Sequence, residues 1–186
     1  MRTFHKTLLT CVLGISGLLL IADFARALTV ENISLQRLTT ESNLIVYGRI
    51  ESSYSQWEGK TIYTYTTLRV NESLKGEGGS LVTVKQLGGT VGETGLEVPG
   101  TPKLIAGEDV VLFLTRWQDQ YWIHSIVLGK FSVITTAGET FAYNDLTNIG
   151  LIDPVTKREV TAQDAKQNNF PLQNFLATVR TYVQNQ

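Results

Sequence analysis

Nine consecutive residues set the terms for the whole chain. Ile62, Thr64, Thr66, Leu68 and Val70 fall on one side of a period-two pattern, and Tyr63, Tyr65, Thr67 and Arg69 fall on the other. Strict alternation of this kind belongs to a β-strand with one buried face and one wet face, and no helix can bury it. Similar segments recur on both sides. Residues 44–54 are apolar and β-branched, with Gly48 marking a bulge or a tight bend. Further strands are expected at 80–87, 109–116, 121–128, 130–135 and 140–143. Turn-forming residues punctuate them: a hairpin tip at 57–60 and turns at 75–79, 118–120 and 137–139. Six or seven short strands with no helices between them predict a β-barrel or sandwich rather than a parallel α/β sheet.

Helical signals stand only at the ends of this run. Residues 34–42 place Leu35, Leu38 and Ile33 on one face, with Ser34 as N-cap. Near the C-terminus, about 171–184, Pro171 opens a second helix. Its Leu172, Phe175, Leu176, Val179, Tyr182 and Val183 form a stripe of helical period. That stripe predicts packing against the barrel.

Residues 1–27 read as a secretory signal peptide. Arg2 and Lys6 form a basic start, residues 7–22 carry no charge, and Ala25-Arg26-Ala27 offers small residues at the cleavage positions Ala25 and Ala27. The sixteen apolar and neutral residues are short of the roughly 20 a bilayer span needs. Cys11 lies too early in the run to be a lipidated cysteine. Cleavage after Ala27 predicts a single domain over 28–186, exported to the periplasm or medium of a bacterium. No stable membrane span then remains.

Cleavage also changes the chemistry. Of 16 basic and 17 acidic residues it removes Arg2, Lys6, Arg26 and Asp23, which leaves 13 and 16 and a net charge of −3. Such a balance argues against nucleic acid as a partner. Cys11 is the chain's one cysteine and leaves with the signal. The remaining domain has no thiol nucleophile, no disulfide and no thiolate metal ligand. Its one histidine, His124, is expected mid-strand as a packed residue. No G-x-S-x-G elbow, H-E-x-x-H helix or calcium loop occurs, so no cofactor and no metal are expected. The stretch Gly89-Thr-Val-Gly92-Glu-Thr-Gly95 lacks the lysine of a phosphate-binding loop.

Two features point to binding. The segment 88–107 is rich in glycine and proline and longer than an ordinary connection, as functional loops often are. It contains Gly92 and Gly95, with a brief strand expected at 96–98. Trp57 and Trp117 fall at or beside hairpin tips, with Tyr121 close by, where exposed rings fill a partner's pocket or stack on sugars. These residues predict a non-catalytic binding or accessory domain with a protein or peptide ligand. The alternatives are a carbohydrate- or envelope-binding module using the tip aromatics, and a carboxylate-based hydrolase, for which Glu108-Asp109 is the only adjacent acidic pair.

Several segments taken together carry a resemblance. They are Ser42-Asn43-Leu-Ile-Val-Tyr-Gly48-Arg49, then Tyr63 to Val70 ending in Leu74-Lys75-Gly76, Val84-Lys-Gln-Leu-Gly88-Gly89, Val98-Pro99-Gly100-Thr-Pro102, Gly107-Glu108-Asp-Val-Val-Leu-Phe113-Leu114 and Leu128-Gly129-Lys130-Phe131. Over roughly 35–135 the chain resembles a family of uncharacterised exported bacterial β-rich domains, some of them found near matrixin-like metalloproteases. It is more loosely similar to the netrin-like domain of tissue inhibitors of metalloproteinases. The netrin-like similarity implies an OB-type five-stranded barrel with a C-terminal helix. With the helix read at 34–42, the expected fold is a small OB-like β-barrel with a short N-terminal helix and a C-terminal amphipathic helix. The expected partners are an exported protein such as a protease or a cell-envelope glycan. Those inhibitors hold the protease zinc through an N-terminal cysteine, which this domain lacks, so the resemblance implies the barrel and not the inhibitory chemistry.

Overall fold

The alternating segment is the middle of a fifteen-residue strand in the computed structural model, which describes residues 28–147, 149–160 and 169–186. The signal segment, with Ala25 and Ala27, lies outside the described residues. In chain order the strands are β1 (Leu28–Glu31), β2 (Leu44–Glu58), β3 (Thr61–Lys75), β4 (Leu81–Leu87), β5 (Gly89–Val91), β6 (Thr94–Leu96), β7 (Asp109–Trp117) and β8 (Gln120–Ile123). Then follow β9 (Lys130–Thr136), β10 (Glu139–Tyr143), β11 (Ile149–Ile152), β12 (Glu159–Val160) and β13 (Asn169–Pro171). Two α-helices, Leu35–Glu41 and Leu172–Gln184, stand at the two ends predicted for them. The fold is mainly β.

The largest sheet runs β13-β10-β9-β7-β2-β3-β4-β8, and a further pairing of β7 with β8 bends it into a partly closed ring of five strands. Inside the ring Leu44, Val46, Ile50, Leu68, Val82, Val84, Val110, Leu112 and Leu114 form a nine-residue core. The opposite faces of β2 and β7 present Ile45, Val111 and Phe113 to a second core of eleven residues under the two helices. β7 is thus buried on both faces, which is why 110–114 is an unbroken apolar run and not an alternating one.

Local signals explain the ends and bends. Ser34 Oγ accepts the N–H of Arg37 at 3.1 Å and caps the first helix. Gly48 sits at a register shift between β2 and β3, as expected of a bulge. A Cβ there would collide with the Arg69 carbonyl, so no other residue fits unshifted. Leu172, Phe175, Leu176 and Val179 bury the predicted stripe, while Tyr182 and Val183 are half-buried at its end.

Three expectations need correction. β2 runs on to Glu58, so Trp57 is a strand residue and the hairpin turns at Gly59 and Lys60 alone. The strand predicted for 121–128 stops at Ile123, and His124 is in a turn rather than mid-strand. Its N–H still reaches the Phe113 carbonyl at 2.8 Å, but Ser125 and Ile126 then take positive φ of 55° and 54° and swing the chain out of the sheet. A 3-10 turn, Ile126–Gly129, follows and buries Val127 and Leu128 in a small third core with Leu151. The brief strand expected at 96–98 within the segment 88–107 lies earlier, at Thr94–Leu96, where it pairs with β5 as a hairpin. A small sheet, β1-β11-β12, was not anticipated.

Candidate functional site

The segment between β4 and β7 is fastened at both ends. Gly88 N–H donates to the Ile62 carbonyl at 2.9 Å, and Gly107 N–H to the Ile50 carbonyl at 2.8 Å. Beyond it, Glu108 accepts from Ser132 and lies 2.8 Å from Lys130 Nζ. Asp109 holds Arg49 through two bonds of 2.8 and 2.6 Å. The hydrogen bond from Arg49 holds the Asp109 carboxyl below its ordinary range. The adjacent acids are therefore engaged in anchoring strands and face separate cations.

Between these anchors the chain stands off the ring. Gly88 and Gly89 allow it, with φ of 99° and 133°. A side chain at Gly89 would overlap the hydroxyls of Ser55 and Thr64, which bond to each other at 2.8 Å directly beneath it. The result is a cavity of about 770 Å³. Thr64, Thr66 and Gln86, from the inward faces of β3 and β4, form part of its lining, and residues 87–90 and 95–105 supply the rest. Thr66 is 1 % exposed and its Oγ1 has no hydrogen-bond partner among the described residues. Gln86 Nε2 donates to the Pro102 carbonyl at 2.9 Å and ties the far side of the segment to the ring. Glu97 is the one carboxylate in the lining. A second cavity of about 200 Å³ lies between β4 and β8, under Val98, Pro99 and Pro102.

The predicted site residues do not converge. Gly95 lines the large cavity, whereas Gly92 is at the tip of the β5–β6 hairpin. Trp57 is 49 % exposed and pairs with Ile62 near the end of β2. Trp117 is 60 % exposed and meets Trp122 edge-on, with centroids 5.9 Å apart. Tyr121 turns the other way and packs against the core inside the ring.

The sequence reading missed an aromatic row on the outer face. Tyr54 stacks on Tyr65 at 5.4 Å, and Tyr63 meets Trp122 at 6.1 Å. Lys85 Nζ stands between them, 4.2 Å from the centre of the Tyr63 ring and 2.6 Å from Glu58. Hydrogen bonds from Lys85 and then Tyr65 lower the pKa of Glu58. The outward positions 63 and 65 of the alternating strand carried the signal. What was not visible was that β2, β4 and β8 bring partners to them.

His124 lines neither cavity. Its Nε2 lies 3.3 Å from Glu41 on the first helix, close enough for ion pairing but not aligned as a hydrogen bond. No three of His, Cys, Asp and Glu gather as a metal site among the described residues. No helix among them is long and apolar enough to cross a membrane. Compared with known proteins, the chain matches no family model, and a search of the curated proteins finds no match.

Proposed function

We propose that this chain is an exported, non-catalytic binding domain that takes a short extended segment of a protein partner into the groove beneath residues 88–105. The scaffold of this reading is an OB-like barrel. Its support is the ring order β2-β3-β4-β8-β7, in which a three-strand meander is closed by a strand parallel to its third member. The observation that carries the function is the large cavity itself. Its lining includes four glycines and two prolines and a buried hydroxyl, Thr66 Oγ1, without a partner among the described residues. Buried polar groups are nearly always hydrogen-bonded, so an unpaired one in a cavity marks a place for a ligand group. A single carboxylate in the lining favours binding over hydrolysis by paired acids. An exported protease is one partner of the right kind.

Selection of displayed linear peptides on the intact domain tests this. Peptides are expected to be enriched, and Gly95→Trp, which puts a large ring at the lining, is expected to weaken them at least tenfold. Failure to enrich any peptide, or indifference to the filled groove, would overturn the proposal.

The aromatic row favours a second reading, an envelope glycan stacked across Tyr54, Tyr65 and Trp117. Titration with soluble cell-wall glycans, followed by tryptophan emission, decides it; unchanged emission with every glycan disposes of it.

A further inference from the structure

The five-stranded ring has one weak join. β3 and β4 share seven residue pairs and β7 and β8 share four, but β4 and β8 meet only at Val84↔Tyr121. Past that pair the strands part, and the 200 Å³ cavity fills the gap. The ladder with β3 determines which main-chain groups face it. Gly88 N–H donates to Ile62 and Val70 N–H to the Ser80 carbonyl, so even-numbered residues of β4 point toward β3 and odd-numbered ones point away. Leu87 is therefore turned to the gap, and no hydrogen bond reaches its N–H or C=O among the described residues.

Three further observations fall on the same gap. The indole N–H of Trp122, which lines it, is buried without a partner among the described residues. The strap 98–102 covers the opening with no main-chain hydrogen bond to β4 among the described residues, its one tie there being the Gln86 side chain, and its Pro99 and Pro102 have no N–H to offer. Ile126 lines the opposite wall at φ 54°, a conformation that is costly for a β-branched residue and tends to persist at functional sites.

We infer that this gap is the anchor site for the peptide. An extended segment pairs its main chain with Leu87 and offers a carbonyl to the Trp122 N–H. It places one large apolar side chain between Leu87, Trp122 and Ile123. An apolar anchor fits because Lys85, the one charged residue in the lining, is neutralised by Glu58 at 2.6 Å. The inference rests on the peptide reading above and extends it. The two cavities share Gln86, Leu87, Val98 and Pro102, so a chain anchored in the gap continues into the large groove.

The peptide enriched in the selection experiment is the probe, titrated into the isotopically labelled intact domain. Amide exchange at Leu87 is expected to slow at least tenfold and the Trp122 indole resonance to move. Trp122→Phe keeps a ring and loses the donor, and is expected to weaken binding about two- to tenfold, the range of one neutral hydrogen bond. Replacing the peptide's apolar residues by serine is expected to abolish binding. A peptide that binds and leaves Leu87 and Trp122 unaltered overturns the anchor while the groove stands. A selection that enriches nothing removes both. Should the Trp122 variant fail to fold, the exchange measurement on the unaltered domain decides.

Discussion

Asn144 shows how much of this fold turns on single polar side chains. It is 3 % exposed, and its Nδ2 donates to the carbonyls of Val127, Leu128 and Lys130 at 3.2, 3.1 and 3.0 Å. The first two carbonyls belong to the turn that replaces the end of the predicted strand and the third opens β9, so the amide holds that turn against the end of β10. Asn144→Ala leaves buried acceptors unpaired and is expected to cost about 1–3 kcal/mol in urea unfolding. Nothing in Tyr143-Asn144-Asp145 announces this role, because the partners arrive from a different part of the chain. Gly48 was legible for the opposite reason. A glycine inside an apolar strand is itself unusual, and the bulge it implied is local.

Among elements, the C-terminal helix was read most fully, since thirteen residues give a period-3.6 stripe room to repeat. Phe175 is its centre, with ring centroids 4.6 Å from Phe131, 5.7 Å from Phe170 and 6.3 Å from Phe113. Phe175→Ala is expected to destabilise the domain by about 3–5 kcal/mol, measured as a fall in the denaturant midpoint. Short elements were not legible. β11 has four residues and β12 two, too few to show a period. The stretch 121–128 was misassigned because its alternating apolar residues suit a strand or a buried turn equally, and only the left-handed pair Ser125 and Ile126 separates the two. In the segment 88–107, glycines hid a hairpin, since they remove the side chains by which strands are recognised.

At the scale of the molecule, the candidate site was legible only as a suspicion about one long segment. Thr64, Thr66, Gln86 and residues 95–105 meet because a ring closes, and alternation along a strand cannot report what stands opposite it. Charge pairing at this scale makes a further prediction. Asp109 is held below its ordinary pKa by its hydrogen bond from Arg49, and Asp145 by hydrogen bonds to Thr147. A carboxyl with a depressed folded pKa stabilises the fold fully above its unfolded value, near 4, and loses that contribution as pH falls through the folded one. Stability is therefore expected to be level from about pH 7 to 5 and to decline in acid. Asp109→Asn should flatten part of that decline in unfolding experiments run across pH. An unchanged slope would count against the pairing.

The join at Val84 and Tyr121 has a consequence in time as well as in space. The meander β2-β3-β4 assembles from neighbours in sequence, whereas the join must bring β8 back across the hairpin and β7 for the sake of a single residue pair. Closing so long a loop for so small a gain belongs late on the folding route. A substitution that loosens the join, such as Tyr121→Ala, is accordingly expected to leave the refolding arm of a chevron plot nearly unmoved and to raise the unfolding arm. The ring would then be a hoop whose clasp fastens last and opens first, and the domain's lifetime would be set by that clasp rather than by the larger cores on either side.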